Sequence, residues 1–211
     1  MCYNSNSGIE THQALFRDGD DAYMKSIIEC LECNPIIAAL PHIELPEHIE
    51  QLPVEVLFLL SGNILEIEDR VKRLKDLGKK VFIHVDLIEG LGKDLAAVEY
   101  VEKRIKPDGI LSTRSNLLKH GKDIGLITVQ RIFLIDSLSF ESGIKMVQNY
   151  QPDFVEVMPG IAPRAISDLK KEIKQPIIAG GMITDKAGVI QALKAGALAV
   201  STSKKALWSL A

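Results

Sequence analysis

Two stretches near the end of this 211-residue chain carry residue types suited to holding an anion. Ile177-Ile178-Ala179-Gly180-Gly181 ends in paired glycines, and with no Cβ in the way their backbone can approach an anion closely. Further on, Ala197-Leu198-Ala199-Val200-Ser201-Thr202-Ser203 runs into Lys204-Lys205-Ala206-Leu207-Trp208. That last run reads as the start of a helix, whose first turn offers free N–H groups and the positive end of the dipole. Gly180, Gly181, Ser201, Thr202 and Ser203 are therefore expected to form a phosphate-binding cup. The plainer alternative makes Gly180-Gly181 a tight turn and Ser203 an N-cap.

A second set of polar residues lies inside apolar runs. In Val81-Phe82-Ile83-His84-Val85-Asp86, strand alternation places Val81, Ile83 and Val85 on one face and Phe82, His84 and Asp86 on the other. The same reasoning turns Glu156 of Phe154–Met158 toward the side of His84. It turns Thr128 and Gln130 of Ile127–Arg131 inward and leaves Arg131 at the strand's exit. Burying an unpaired carboxylate costs several kcal/mol, so Asp86 and Glu156 need partners: histidine, arginine or ligand hydroxyls. Alternatively, His84, Asp86, Gln130 and Glu156 form a satisfied polar layer with no ligand. The glycine-spaced stretch Asp86–Gly92 is expected to be a mobile loop above these residues.

The elements that must position these residues follow one plan. Eight short apolar runs recur: Ile36–Leu40, Val56–Leu60, Val81–Asp86, Gly109–Ser112, Leu126–Arg131, Phe154–Met158, Ile177–Gly180 and Leu198–Ser201. Runs rich in Val and Ile and apolar at nearly every position suit parallel strands covered on both faces. Amphipathic segments lie between them. One runs from Asn63, an N-cap with Glu66 three positions on, through Ile67, Val71, Leu74 and Leu77 to Gly78; others open at Asp94, Pro163 and Asp185. Lys106-Pro107-Asp108-Gly109 and Gln151-Pro152-Asp153-Phe154 mark two strand starts alike. Polar and glycine residues follow nearly every strand, whereas a doubly wound sheet would put a glycine-rich turn after an early one, where Pro41-His42-Ile43 stands. The expected fold is α/β, a single-domain (β/α)8 TIM barrel over residues 21–211, preceded by a polar extension at 1–20. In that fold the loops after strands 7 and 8 commonly hold phosphate, which is where the cup falls.

Composition sets limits. Apolar residues make up 46% and charged residues 25%, ordinary for a globular protein with a sizeable core. A net charge of −3 argues against general attraction to phosphate backbones. No apolar run reaches the roughly 18 residues needed to span a bilayer, and Met1–Gly8 lacks a signal-peptide core, so a cytoplasmic protein is expected. The three cysteines do not suggest a disulfide framework; Cys30-x-x-Cys33 is read as closing a helix, with one thiol on its buried face. Arg114, Lys119, His120 and Lys122, and Lys170, Lys171 and Lys174, are read as solvated helix faces.

Several motifs, in order, carry a resemblance. His84-Val85-Asp86-Leu87-Ile88-Glu89-Gly90, Lys106–Ile110, Gln130–Asp136, Glu156–Gly160, Ala179–Gly181 and Ala195–Ser203 closely resemble the glycerol-3-phosphate-responsive antiterminator family, from about residue 54 to the C-terminus. The resemblance implies a bacterial regulator without catalysis or cofactor. It would bind glycerol 3-phosphate as effector and act on the leader mRNA of glycerol-utilisation genes to prevent early termination. Gly180, Gly181, Ser201, Thr202 and Ser203 would hold the phosphate, and His84, Asp86, Gln130, Arg131 and Glu156 would read the glycerol hydroxyls, with Arg131 able to reach the phosphate instead. Gly160, in the motif after Glu156, is counted among the ligand-binding residues. RNA contact is expected on a limited patch or across a homodimer.

Two other readings share the barrel. A barrel enzyme acting on a small phosphorylated metabolite, a phosphodiesterase or a triose-phosphate-type aldolase or isomerase, would use His84, Asp86, Glu89 and Glu156 as acid and base or as metal ligands. No lysine ends a strand where a Schiff base would form, and no metal motif has tight spacing. A barrel with only a structural or partner-binding role predicts no phosphate ligand.

Overall fold

The computed structural model describes residues 18–42 and 45–210. Most of the expected N-terminal extension at 1–20, with Cys2, lies outside the described residues. Strands β1 (Ile36–Leu40), β2 (Val56–Leu59), β3 (Lys80–His84), β4 (Gly109–Ser112), β5 (Ile127–Phe133), β6 (Phe154–Met158), β7 (Ile177–Gly180) and β8 (Ala199–Thr202) form a closed parallel barrel, sealed where β1 pairs β8. The fold is a TIM barrel.

Helices α2 (Ile67–Asp76), α3 (Leu95–Tyr100), α4 (Ser115–Asp123), α5 (Ser137–Tyr150), α6 (Pro163–Glu172) and α7 (Lys186–Lys194) each bridge two strands. Asp94 and Asp185 cap α3 and α7, accepting hydrogen bonds from the N–H groups of Ala97 and Gly188, and Pro163 occupies the first turn of α6. Gly78 ends α2 at φ 77°, in the left-handed region open to glycine. Two bridges depart from the eightfold plan: among the described residues there is only the 3-10 turn Ile49–Gln51 between β1 and β2, and only Lys205–Leu207 after β8. Asn63 does not cap α2. It belongs to a two-residue strand, Gly62–Asn63, and its side chain accepts from the Leu65 N–H, so the helix begins later, at Ile67.

The remaining helix, α1 (Asp18–Cys33), precedes β1 and lies across the N-terminal end of the barrel. Its Ile27 and Leu31 join Ile37, Val56, Phe58, Phe82, Val129 and Phe154 in the inner core. The Tyr23 hydroxyl donates to Asp108, in the turn before β4, and the Lys80 ammonium stands 4.7 Å from the Tyr23 ring. Neither cysteine of the pair is buried: Cys33 is exposed, and the half-buried Cys30 thiol donates to Glu55 at 3.2 Å. The burying positions of α1 are Ile27 and Leu31.

The two Pro-Asp turns are the same device used twice. Lys106 and Gln151 both take positive φ, 53° and 48°. The following aspartates reach back across one strand: Asp108 accepts the Val81 N–H at 2.7 Å, and Asp153 accepts the Thr128 N–H at 2.9 Å and its hydroxyl at 2.7 Å. A lysine from the helix before each pair closes the staple, Lys75 to Asp108 at 3.0 Å and Lys122 to Asp153 at 2.8 Å. These lysines also donate to the Lys106 and Gln151 carbonyls. Lys122 is therefore a staple, not part of a solvated face.

Candidate functional site

The register of the barrel decides which side chains share the interior. Phe82 is level with Gly109, where any Cβ would fall 2.4 Å from the Phe82 ring, and His84 is level with Leu111. On β5 the apolar residues Ile127 and Val129 belong to the inner core, so alternation brings Arg131 inward, level with Glu156. This reverses the expected orientation of that strand. Thr128 and Gln130 point to the helix side, where Asp153 holds Thr128 and where Gln130 accepts from Ser115 at 2.8 Å and donates to the Ser112 and Arg131 carbonyls. The Gln130 amide fixes the start of α4 and stands outside the mouth.

Glu156 is the centre of the inner polar layer. It is 1% exposed, and both oxygens are taken: Oε2 by Arg131 Nε at 2.6 Å, Oε1 by the Ser201 hydroxyl at 2.6 Å. Bonds to each oxygen satisfy the buried carboxylate. Gly180 makes room for this cluster, since a Cβ there would lie 2.6 Å from Glu156 Oε1 and 2.8 Å from Ser201 Oγ. Arg131 spends only Nε on Glu156; among the described residues no protein acceptor takes its two terminal nitrogens.

These groups form the floor of a cavity of about 200 Å³ at the C-terminal ends of the strands. Arg131, Glu156, Ser201, Ser203, Lys204 and Gly181 line it, and Ala39, Pro41, Leu60, Met158 and Met182 add apolar surface. Gly181 and Met182 are both left-handed, at φ 76° and 64°. Among the described residues their N–H groups, and that of Ser203, donate to no protein acceptor. The unpaired donors at the cavity therefore come from the β7 loop, Ser203, Lys204 and Arg131. A helix N-terminus after β8 is not among them, because the chain there makes only a 3-10 turn. Thr202 lies at the cavity edge with its groups committed: its hydroxyl donates to the Ile183 carbonyl, and its own carbonyl accepts the Trp208 indole N–H at 2.8 Å. Gly160 packs beneath the β7 loop, donating to the Gly180 carbonyl, with no space for a Cβ.

A second polar group, His84 and Asp86, lies at the end of β3 and is not part of the cavity lining. Asp86 is on a 3-10 turn, Val85–Leu87, because β3 ends at His84. Its Oδ2 accepts from the Ser112 hydroxyl at 2.8 Å and the Thr113 N–H at 3.0 Å, and the Arg114 guanidinium lies 3.4 Å from Oδ1. His84 Nδ1 is 3.6 Å from Asp86, beyond hydrogen-bond range, and both that nitrogen and Asp86 Oδ1 are buried without a hydrogen-bond partner among the described residues. Burial, then the Arg131 charge, pushes the His84 pKa down to about 4 despite Asp86, which leaves a neutral imidazole at neutral pH. The stretch expected to be a mobile loop is anchored: Ile88–Glu89 pairs with Gly62–Asn63, and Ile88 and Leu91 are buried. Glu89 is exposed there, away from Glu156, so the four acid–base candidates do not converge.

Sequence reasoning missed Lys204 and Arg114. The only local signal for either was a basic residue two positions past a strand end. Among the described residues no helix is long and apolar enough to cross a membrane.

Comparison with known proteins bears on most of the chain. It is 34% identical over 185 residues to the Escherichia coli (strain K12) protein YgcP, spanning 88% of this chain and 97% of that one. Among solved structures, the glycerol uptake operon antiterminator regulatory protein of Listeria monocytogenes is 35% identical with a TM-score of 0.78, covering 83% of this chain and 95% of its own. A glycerol uptake operon antiterminator-related protein of Thermotoga maritima is 34% identical, TM-score 0.73, covering 82% and 96%. Further barrels, an aldolase and orotidine 5'-phosphate decarboxylases among them, are 13–16% identical and share the fold alone. The family model described as glycerol-3-phosphate responsive antiterminator matches residues 36–208, so the likeness reaches back past residue 54 to β1. The chain belongs to the glycerol-3-phosphate responsive antiterminator family.

Proposed function

We propose that this protein senses glycerol 3-phosphate in the β6–β8 cavity and, with it bound, grips the leader mRNA of glycerol-utilisation genes as a cytoplasmic homodimer, preventing early termination. The observation that carries the ligand reading is Arg131: a guanidinium held by Glu156 through one nitrogen, with its terminal nitrogens open at a cavity that also presents Lys204, Ser203 and the Gly181 and Met182 N–H groups. Fixed donors around a small space suit a phosphate dianion. The neutral His84 and Asp86 Oδ1, which has no hydrogen bond although Arg114 stands 3.4 Å away, suit hydroxyls on a ligand that reaches past the cavity lining.

Calorimetry with glycerol 3-phosphate tests the first half. Wild type should bind, and Arg131→Ala should weaken binding by roughly 100-fold, as expected when a charged hydrogen-bonding partner is lost. Wild type giving no heat would overturn the reading. For the second half, fluorescence anisotropy with labelled leader RNA should show tighter binding when the metabolite is present, because an effector acts only through a difference in affinity between two states. Unchanged affinity, with turnover of a phosphorylated metabolite, would favour a barrel enzyme instead.

A further inference from the structure

The large apolar side chains left exposed are concentrated at one end of the barrel. Leu65, Leu87, Phe133, Ile135, Ile161 and Met182 are all exposed, Leu65 and Ile135 at 87% and 84%, and all lie at or just beyond strand ends around the mouth. At the other end, which α1 covers, Leu77 and Tyr150 are only 40% and 39% exposed. Apolar surface gathered in this way marks a contact face.

Charge is unequally divided across the same face, with exposed Lys93 on its acidic side and exposed Asp185 on its basic side. Glu66 and Glu89 are exposed beside Leu65 and Leu87, on two loops tied together by the Gly62–Asn63 and Ile88–Glu89 pairing. In the closed strand order β2 and β3 stand opposite β6 and β7. There Ile161 and Met182 are accompanied by Arg164, whose own-chain contact is a long 3.9 Å pair with Asp168, and by Lys204 and Lys205 after β8. A polyphosphate laid over the whole face would meet the two glutamates. A surface with the opposite order of charges would not, and a second copy turned about a two-fold axis in the plane of the face supplies it.

We infer that the mouth face is the interface of a two-fold homodimer, in which the sector of Leu65, Glu66 and Glu89 in one copy meets the sector of Ile161, Arg164 and Lys205 in the other. Each copy then closes the cavity of its partner. The inference specifies the surface of the proposed homodimer and does not depend on which metabolite the cavity takes.

Sedimentation equilibrium on the full chain tests it. Wild type should be dimeric in the micromolar range. Leu65→Asp with Ile135→Asp should raise the dissociation constant at least about tenfold, while Leu77→Asp at the opposite end should leave it unchanged. Glu66→Lys with Glu89→Lys, and separately Arg164→Glu with Lys205→Glu, should each give monomers, and mixing the two charge-reversed chains should restore a dimer. Circular dichroism melts confirm that each variant folds, and calorimetry with glycerol 3-phosphate on the same samples reports the cavity separately. The inference falls if wild type is a monomer throughout, if the mouth variants stay dimeric, or if the reversed chains fail to reassociate. It falls equally if the mouth variants stay as wild type in assembly and lose only leader-RNA binding, which would make RNA the occupant.

Discussion

At Glu156 a carboxylate buried to 1% exposure is held by one arginine and one serine, and only a glycine leaves room for the pair. Gly180→Ala should therefore disturb ligand binding out of proportion to its size. The added methyl collides with Glu156 and Ser201, so the calorimetric affinity for glycerol 3-phosphate should fall by roughly 100-fold while Tm drops only a few degrees. Unchanged affinity would show that the carboxylate cluster does not set the position of Arg131. His84 makes a second residue-level prediction. Its pKa of about 4 lies below the ordinary 6.5, so between these values the unfolded chain takes up a proton that the folded chain refuses. Stability present at pH 7 is thus lost as pH falls from 6.5 toward 4, on the order of 3 kcal/mol in all. Urea midpoints measured across that window should show a shallower decline in His84→Gln than in wild type; parallel curves would mean that His84 is protonated alike in both states.

At the scale of elements, the Pro-Asp staples hold neighbouring strands and helices in register. Asp153→Ala removes two hydrogen bonds and an ion pair with Lys122, which should cost about 2–3 kcal/mol, read as a fall in Tm of roughly 5–10 °C. A change under a degree would mean that the strand pairing carries the register unaided. The repeated Pro-Asp spelling was legible in the sequence, as were the eight strands and the caps at Asp94, Asp185 and Gly78, because each has a local physical cause. The orientation of β5 was not. Ile127-Thr128-Val129-Gln130-Arg131 has polar residues on both faces, and only its neighbours around the ring decide which face goes in. Gln130 was consequently read into the mouth and Arg131 onto its edge, when the geometry makes Arg131 the inward residue. The 3-10 turn that stands, among the described residues, where a helix after β1 was expected has the same origin, since short amphipathic stretches do not announce whether the next strand leaves room for a full bridge.

Taken whole, the molecule is a barrel closed at one end by α1 and open at the other, so cavity, apolar rim and divided charges all share a single face. Trp208, the chain's one tryptophan, is 2% exposed and bonded through its indole N–H to the Thr202 carbonyl, next to the Ser203 that lines the cavity. That placement makes it an optical probe built into the β8 loop. Adding glycerol 3-phosphate should shift or quench its emission with the same midpoint as the calorimetric titration, and Trp208→Phe should abolish the signal while binding persists. Emission unmoved at saturating metabolite would locate the ligand away from this loop. No label is needed, so the same light can follow occupancy while RNA or a second copy is present, separating in one cuvette the filling of the cup from whatever the face does next.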